Sequence, residues 1–129
     1  MGTLKIRSTR REEMIDITHD VEGSVPTGDG VCVLFIQHTT CGLTVNENAD
    51  PDVQLDMLGF LQRLIPQYEA HYKHGEHNSD AHIKSSLVGS SVTVPFENGN
   101  LCLGTWQGIY LCEFDGPRER KIVVSVART

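Results

Sequence analysis

Apolar and polar residues alternate with a period of two from Thr3 to Ser8, the pattern of a half-buried strand. Val31 to Gln37 is instead a continuous apolar run of residues that prefer strands, and it stops abruptly at polar residues. Between these runs, Ile15 to Val21 fits either a short helix or a short strand. The period changes after Asp50. Val53, Met57, Leu58, Leu61, Leu64 and Ile65 recur at helical spacing, with Asp50 placed as N-cap, Pro51 at the first helical position and Pro66 as the stop. This apolar stripe is expected to face the core. A polar, histidine-rich loop should follow. Strand-like runs then return at Ser91 to Phe96, Leu101 to Leu103, Trp106 to Phe114 and Lys121 to Ala127, with turn signals at Asn98-Gly99 and Asp115-Gly116-Pro117. Strands and helices do not alternate at crossover spacing, which argues against a parallel nucleotide-binding sheet. The expected architecture is α+β: a mostly antiparallel β-sandwich, its late strands forming a meander, with one substantial helix.

At 129 residues the chain fits a single domain, 1–129. A net charge of -6, with no basic run longer than Arg118-Glu119-Arg120-Lys121, argues against nucleic-acid binding. Met1 to Glu13 has no apolar signal-peptide region and no stretch is long enough to span a bilayer, so a cytoplasmic protein with no membrane partner is expected. Cys32, Cys102 and Cys112 fall in apolar runs and should be buried and reduced; Cys41 follows His38-Thr39-Thr40 and reads better as a packed small residue than as a reactive thiol.

Charge and composition leave the chemistry to a few polar segments. His38, His74 and His82 each lie in one, and three imidazoles with an open fourth position would make a catalytic site for a transition metal such as zinc. Any one of them taken alone reads more simply as a solvated side chain. A rival spacing, His71-x-x-His74-x-x-His77, would align three imidazoles only if that segment were helical. Lys84 and Arg118 are suited to holding phosphate oxygens, with hydroxyls from Thr39, Thr40, Ser85 and Ser86; the plain alternative is a solvated Lys84 and an Arg118 paired across its turn with Asp115 or Glu119. Glu47 has no visible structural duty and is the candidate general acid or base, whereas Asp50 is explained as a cap. Trp106 is expected to pack, although an indole facing a cleft could stack on a pyrimidine ring.

Four segments taken in order, Gln37 to Val53, Asn78 to Gly89, Gly104 to Tyr110 and Glu113 to Arg118, closely resemble the YjbQ family, also called the secondary thiamine-phosphate synthase enzyme family. The resemblance runs from about Leu4 to the C-terminus and falls on His38, Asn46, Glu47, Asp50, His74, His82, Lys84, Ser85, Trp106, Gln107 and Arg118. One departure is local: many members carry a longer acidic, glycine-containing stretch where only Gly75-Glu76-His77 stands here. The resemblance implies a trimer of small β-sandwich subunits. It also implies a weak thiamine-phosphate synthase activity that joins a pyrimidine diphosphate to a thiazole phosphate and releases pyrophosphate.

The combined expectation is a metal-dependent enzyme of small phosphorylated metabolites. Its catalytic residues would be Glu47, His38 and His82, its substrate-binding residues Lys84, Ser85, Arg118, Thr39, Trp106 and Gln107, and its metal ligands His38, His74 and His82. Carboxylate-held magnesium is the usual companion of a diphosphate, whereas a histidine cluster prefers zinc or another borderline metal. The alternative is a non-catalytic protein that binds or senses a small anion or metal.

Overall fold

A computed structural model describes residues 1–129. The strands are β1 Gly2–Arg7, β2 Glu13–Asp16, β3 Gly30–Ile36, β4 Cys41–Glu47, β5 Ser91–Glu97, β6 Asn100–Leu101, β7 Gln107–Glu113 and β8 Glu119–Arg128. The helices are α1 Thr18–Glu22, α2 Pro51–Leu64 and α3 Ser79–Val88. Every strand pair is antiparallel. One sheet runs β1-β8-β3-β5-β6 and the other β2-β7-β4. Of all neighbours in these sheets only β5 and β6 are consecutive in the chain, so the late strands do not form the expected meander. β7 and β8 part into different sheets at the Asp115-Gly116-Pro117 turn, where the Gly116–Pro117 peptide bond is cis.

The main core lies between the sheets. Cys32, Leu34 and Ile36 of β3, Val94 and Phe96 of β5, and Ile122 and Val124 of β8 meet Leu43 of β4 and Ile109 and Leu111 of β7. β7 is buried along almost its whole length because its other face is covered as well. Tyr110 and Cys112, pointing away from the main core by strand alternation, join Phe114 and Ala81 of α3 in a second cluster. The molecule therefore has three layers: large sheet, small sheet and helices.

The segment left open between the first two strands resolves into both alternatives, strand β2 and the short helix α1. Asn98 and Gly99 take φ of 52° and 77°, the left-handed pair that closes a tight hairpin between β5 and β6. α2 begins as expected, its Asp50 side chain accepting a 2.9 Å hydrogen bond from the Asp52 N–H. Its apolar stripe reaches the core only in part, with Ile65 just past its end buried. No residue of α2 is fully buried; Leu58 and Leu61 lean on the second cluster while Leu55, Phe60 and Leu64 stay exposed. The other correction is α3, a helix of 10 residues where a polar loop was expected. Its inward face is Asp80, Ala81, Lys84 and Ser85, and such a polar buried face leaves no apolar period to read. No helix is long and apolar enough to cross a membrane.

Candidate functional site

The end of β3 and the start of β4 are joined by a loop that carries His38, Thr39 and Thr40. The loop is held from beneath by Arg120, which is fully buried on β8. Arg120 Nη2 donates to the Thr40 carbonyl at 3.1 Å and to Thr40 Oγ1 at 2.8 Å. Its Nε donates to both Glu113 oxygens, at 2.9 and 3.1 Å, and Ser8 Oγ donates to Glu113 at 2.7 Å. Burial alone would raise the Glu113 pKa, but the hydrogen bonds from Arg120 and Ser8 hold it below its ordinary value. On the same strand, the Lys121 N–H donates to His38 Nε2 at 3.0 Å. An accepting nitrogen bears no proton, so the neutral ring carries it on Nδ1. Burial, assisted by the positive charge of Arg120, lowers the His38 pKa and keeps the ring neutral.

α3 forms the opposite wall. Its seat on β4 is close: a Cβ on Gly42 would stand 2.8 Å from a Val88 methyl carbon and 2.9 Å from the Gly89 carbonyl oxygen, so only glycine fits. Ser85 Oγ donates to the Cys41 carbonyl at 2.6 Å. One residue earlier, Lys84 is 1% exposed and its ammonium lies between Glu12 and Asp80, with Asp80 Oδ2 at 2.8 Å. Arg11 grips the same Asp80 carboxylate with two hydrogen bonds of 2.9 and 3.1 Å. Ahead of the helix, Asn78 Nδ2 donates to Asp115 at 2.9 Å, and Asp115 also accepts from Arg118 Nη2 at 2.9 Å.

With both walls fixed, His38 and His82 face one cleft of about 450 Å³, completed by Thr39, Ser85, Ser86, Gly89 and Ser90 without a single apolar side chain. Ser85 and Ser86 spend their hydroxyl protons on the Cys41 and His82 carbonyls. The Thr39 and Ser90 hydroxyls and the His38 Nδ1–H remain as donors. No hydrogen bond fixes the His82 ring. Such a lining can receive an anion and offers one imidazole free to move a proton.

The expected site residues divide into groups. His38, Thr39, His82 and Ser85 converge as expected. His74 stands edge-on to His82, ring centroids 5.5 Å apart, but no group of three His, Cys, Asp or Glu side chains in the chain is placed to hold a metal ion. His38 Nε2 is already occupied by the Lys121 N–H, so the three-histidine centre is not built within one chain. The His71, His74 and His77 alternative also fails, because that segment forms no helix and His77 has a φ of 58°. Lys84 is turned away from phosphate duty by its two carboxylates, and Arg118 adopts the plain alternative, paired with Asp115.

Glu47 lies at the other end of β4 from Cys41, six residues or about 20 Å along an extended strand, and pairs there with Gln107. Gln107 is occupied in that turn, its side chain accepting the Gly104 N–H at 2.8 Å. Trp106, expected to pack, is 63% exposed, because β7 starts one residue after it. Cys102 likewise falls just past the two-residue β6 and is exposed, while Cys32, Cys41 and Cys112 are buried; burial pushes the Cys41 thiol up to about 11 and Cys112 to about 12, so neither is a nucleophile. Sequence reasoning missed Ser90, Arg120, Glu12 and Asp80. Of these only the Asp80 and Lys84 pair, one helical turn apart, carried a readable signal.

The profile of the family described as UPF0047 protein YjbQ-like matches residues 2–129. The UPF0047 protein YugU of Bacillus subtilis is 51% identical over 129 residues, covering 98% of each chain, and the UPF0047 protein MJ1081 of Methanocaldococcus jannaschii is 48% identical over 95% of this chain and 90% of its own. Among solved structures, a YjbQ/UPF0047 family protein from Clostridium acetobutylicum superposes with a TM-score of 0.95 at 48% identity, over 98% of this chain and all of that one. A YbjQ-like protein of unknown function from Sulfolobus solfataricus keeps a TM-score of 0.90 at 30% identity, over 99% and 96% of the two chains. With one match spanning the whole domain, and relatives this similar along nearly their full length, the chain belongs to the YjbQ-like UPF0047 family.

Proposed function

We propose that the protein is an enzyme of small phosphorylated metabolites whose reaction takes place in the His38–His82 cleft, with thiamine-phosphate synthesis as its most nameable activity. One observation carries this reading: a neutral imidazole N–H and free hydroxyls line a cleft with no apolar wall, beside a second imidazole that no hydrogen bond holds. In the reaction, the carbon–oxygen bond of the pyrimidine diphosphate breaks, its electron pair leaving with pyrophosphate, while the thiazole nitrogen supplies the pair for the new carbon–nitrogen bond. The His38 Nδ1–H and the Thr39 hydroxyl would stabilise charge growing on the departing pyrophosphate, and His82 would deliver a proton to it. The donors within one chain fall short of a metal centre, and no step here is routed through an ion.

Chromatographic detection of thiamine phosphate tests the reading. The protein should form product from the two substrates, and His82→Ala should slow it by about 10²-fold or more, the usual weight of general acid catalysis, with unchanged thermal unfolding. Equal rates in the variant and the parent protein would overturn the assignment.

A second reading, non-catalytic capture of a small anion or a transition metal such as zinc, draws on the adjacent His74 and His82 rings. It is favoured if pyrophosphate binds and no product forms. For either reading a homotrimer is proposed, supported by the apolar side chains left uncovered on α2 and by the exposed Trp106.

A further inference from the structure

Residues 66–77 connect α2 to α3, and the connection is bonded only to itself. The Gln67 amide donates to the His77 carbonyl at 3.1 Å, and the Tyr72 hydroxyl to the Pro66 carbonyl at 2.8 Å. Glu69 accepts the Tyr72 N–H at its carbonyl and the His71 N–H at its carboxylate, at 3.1 and 2.9 Å. No hydrogen bond leaves the segment for the rest of the chain, and its close carboxylate–imidazole pairs, Glu69 with His71 and Glu76 with His74, are internal too. None of its residues is buried or belongs to either apolar cluster. The flanking residues are the reverse. Ile65 and Asn78 are each 7% exposed, Ile65 tied to α2 through the Leu61 carbonyl and Asn78 to Asp115.

Such a segment keeps its own shape but is held in place weakly, since moving it breaks no hydrogen bond to the body and withdraws no residue from either core. It is not packed down either: an open space of about 450 Å³ lies between its own side chains and Ser79. One directional contact reaches outward. The His74 ring stands edge-on to His82 at 5.5 Å, and His82 is a wall of the cleft that also holds His38. The segment is thus caught at the rim of the cleft by a residue of the cleft.

We propose that residues 66–77 form a hinged lid that turns as one body about Ile65 and Asn78, with His74 against His82 as the catch of its resting position and closure over the cleft as its response to a bound anion. That the cleft takes an anion rests on the function proposed above; the hinge does not. Closure would put the lid between the His82 imidazole and bulk water, shielding a proton transfer made there.

Amide relaxation-dispersion measurements on the free protein test the hinge. Residues 67–77 should share one exchange rate, in the microsecond-to-millisecond range of lid motions, that is absent from α2 and α3. His74→Ala should raise that rate by about two- to tenfold, the weight of one edge-on ring contact, with unchanged thermal unfolding. A segment as quiet as the helices, residues that each move at their own rate, or a rate indifferent to the substitution overturns the lid. Inorganic pyrophosphate then tests what the lid covers. Binding, seen as shifts at Thr39 and Ser86, should abolish the shared exchange because the lid stays closed. Shifts there with the exchange unaltered overturn the lid and leave the anion cleft standing. If neither Thr39 nor Ser86 shifts, the anion cleft falls, and a segment that turns in the free protein guards no anion site and is overturned as a lid.

Discussion

Lys84 shows how one side chain can be suited to two roles and assigned by its neighbours to one. A lysine in a polar segment suits a phosphate, but here its ammonium lies between Glu12 and Asp80, and Arg11 completes a buried group of two cations and two anions. Removing one member of such a group strands the others without partners. Lys84→Met should therefore destabilise the fold by about 3–5 kcal/mol, the cost of breaking a buried ion pair, in urea unfolding followed by circular dichroism. A phosphate-gripping lysine would instead leave stability untouched and weaken only anion binding. Arg120 makes the same point for the His38 loop: its charge, its bonds to Thr40 and the adjoining Lys121 N–H together set which nitrogen of His38 bears a proton.

At the scale of elements, legibility followed the kind of force that holds each one. β3, β5, β7 and β8 are buried by apolar side chains, and their runs predicted them to within one or two residues. α2 announced itself through a cap and a period, and the period foretold the side that leans on the second cluster but not how shallow its burial is, since an amphipathic stripe signals a helix without naming its partner. α3 was invisible because its buried face is made of charges and a hydroxyl whose partners, Glu12, Arg11 and Cys41, lie far off in sequence. The candidate site was half legible for the same reason: His38 and His82 stand out as residue types, but only three-dimensional proximity separates them from Glu47 and Trp106. A helix seated on charges should also respond to acid. Asp80 and Glu113 both titrate below their ordinary values of 3.8 and 4.5, where hydrogen bonds from their cationic partners outweigh burial. Their stabilisation is complete above those values and is lost as pH falls through the depressed ones. His38, lowered from 6.5, adds an earlier loss of the same sign as pH drops below that value, because the unfolded chain then binds the extra proton. Urea midpoints should begin to decline as pH falls through 6.5 and fall more steeply below pH 4.5; a flat profile would mean these groups are not coupled to folding.

For the whole molecule, the uncovered apolar side chains carry the main implication. Leu55, Phe60 and Leu64 on α2, with Trp106 and Phe35, are exposed on a chain whose two cores are otherwise closed. Such side chains are where a second copy of the chain could gain buried apolar area. If the homotrimer proposed above covers them, light scattering should return about three times the 14.3 kDa chain mass. A monomer that retains full activity would rule out an assembly role for these side chains. It would equally leave Glu47 and Trp106 as bystanders, since within one chain they stand at the far end of β4 from the histidines.

The way α3 is seated also governs what the cleft can do in time. Greasy contacts let two elements slip past each other at little cost, whereas the two-pronged Arg11 grip on Asp80, the Lys84 bridge and the Ser85 hydroxyl act as indexing pins that admit one setting. With Gly42 allowing no slack beneath, the gap between the His38 loop and α3 behaves like the fixed jaw spacing of a gauge. A ligand is then sorted by whether it matches that spacing, and those a little too wide are refused instead of being accommodated.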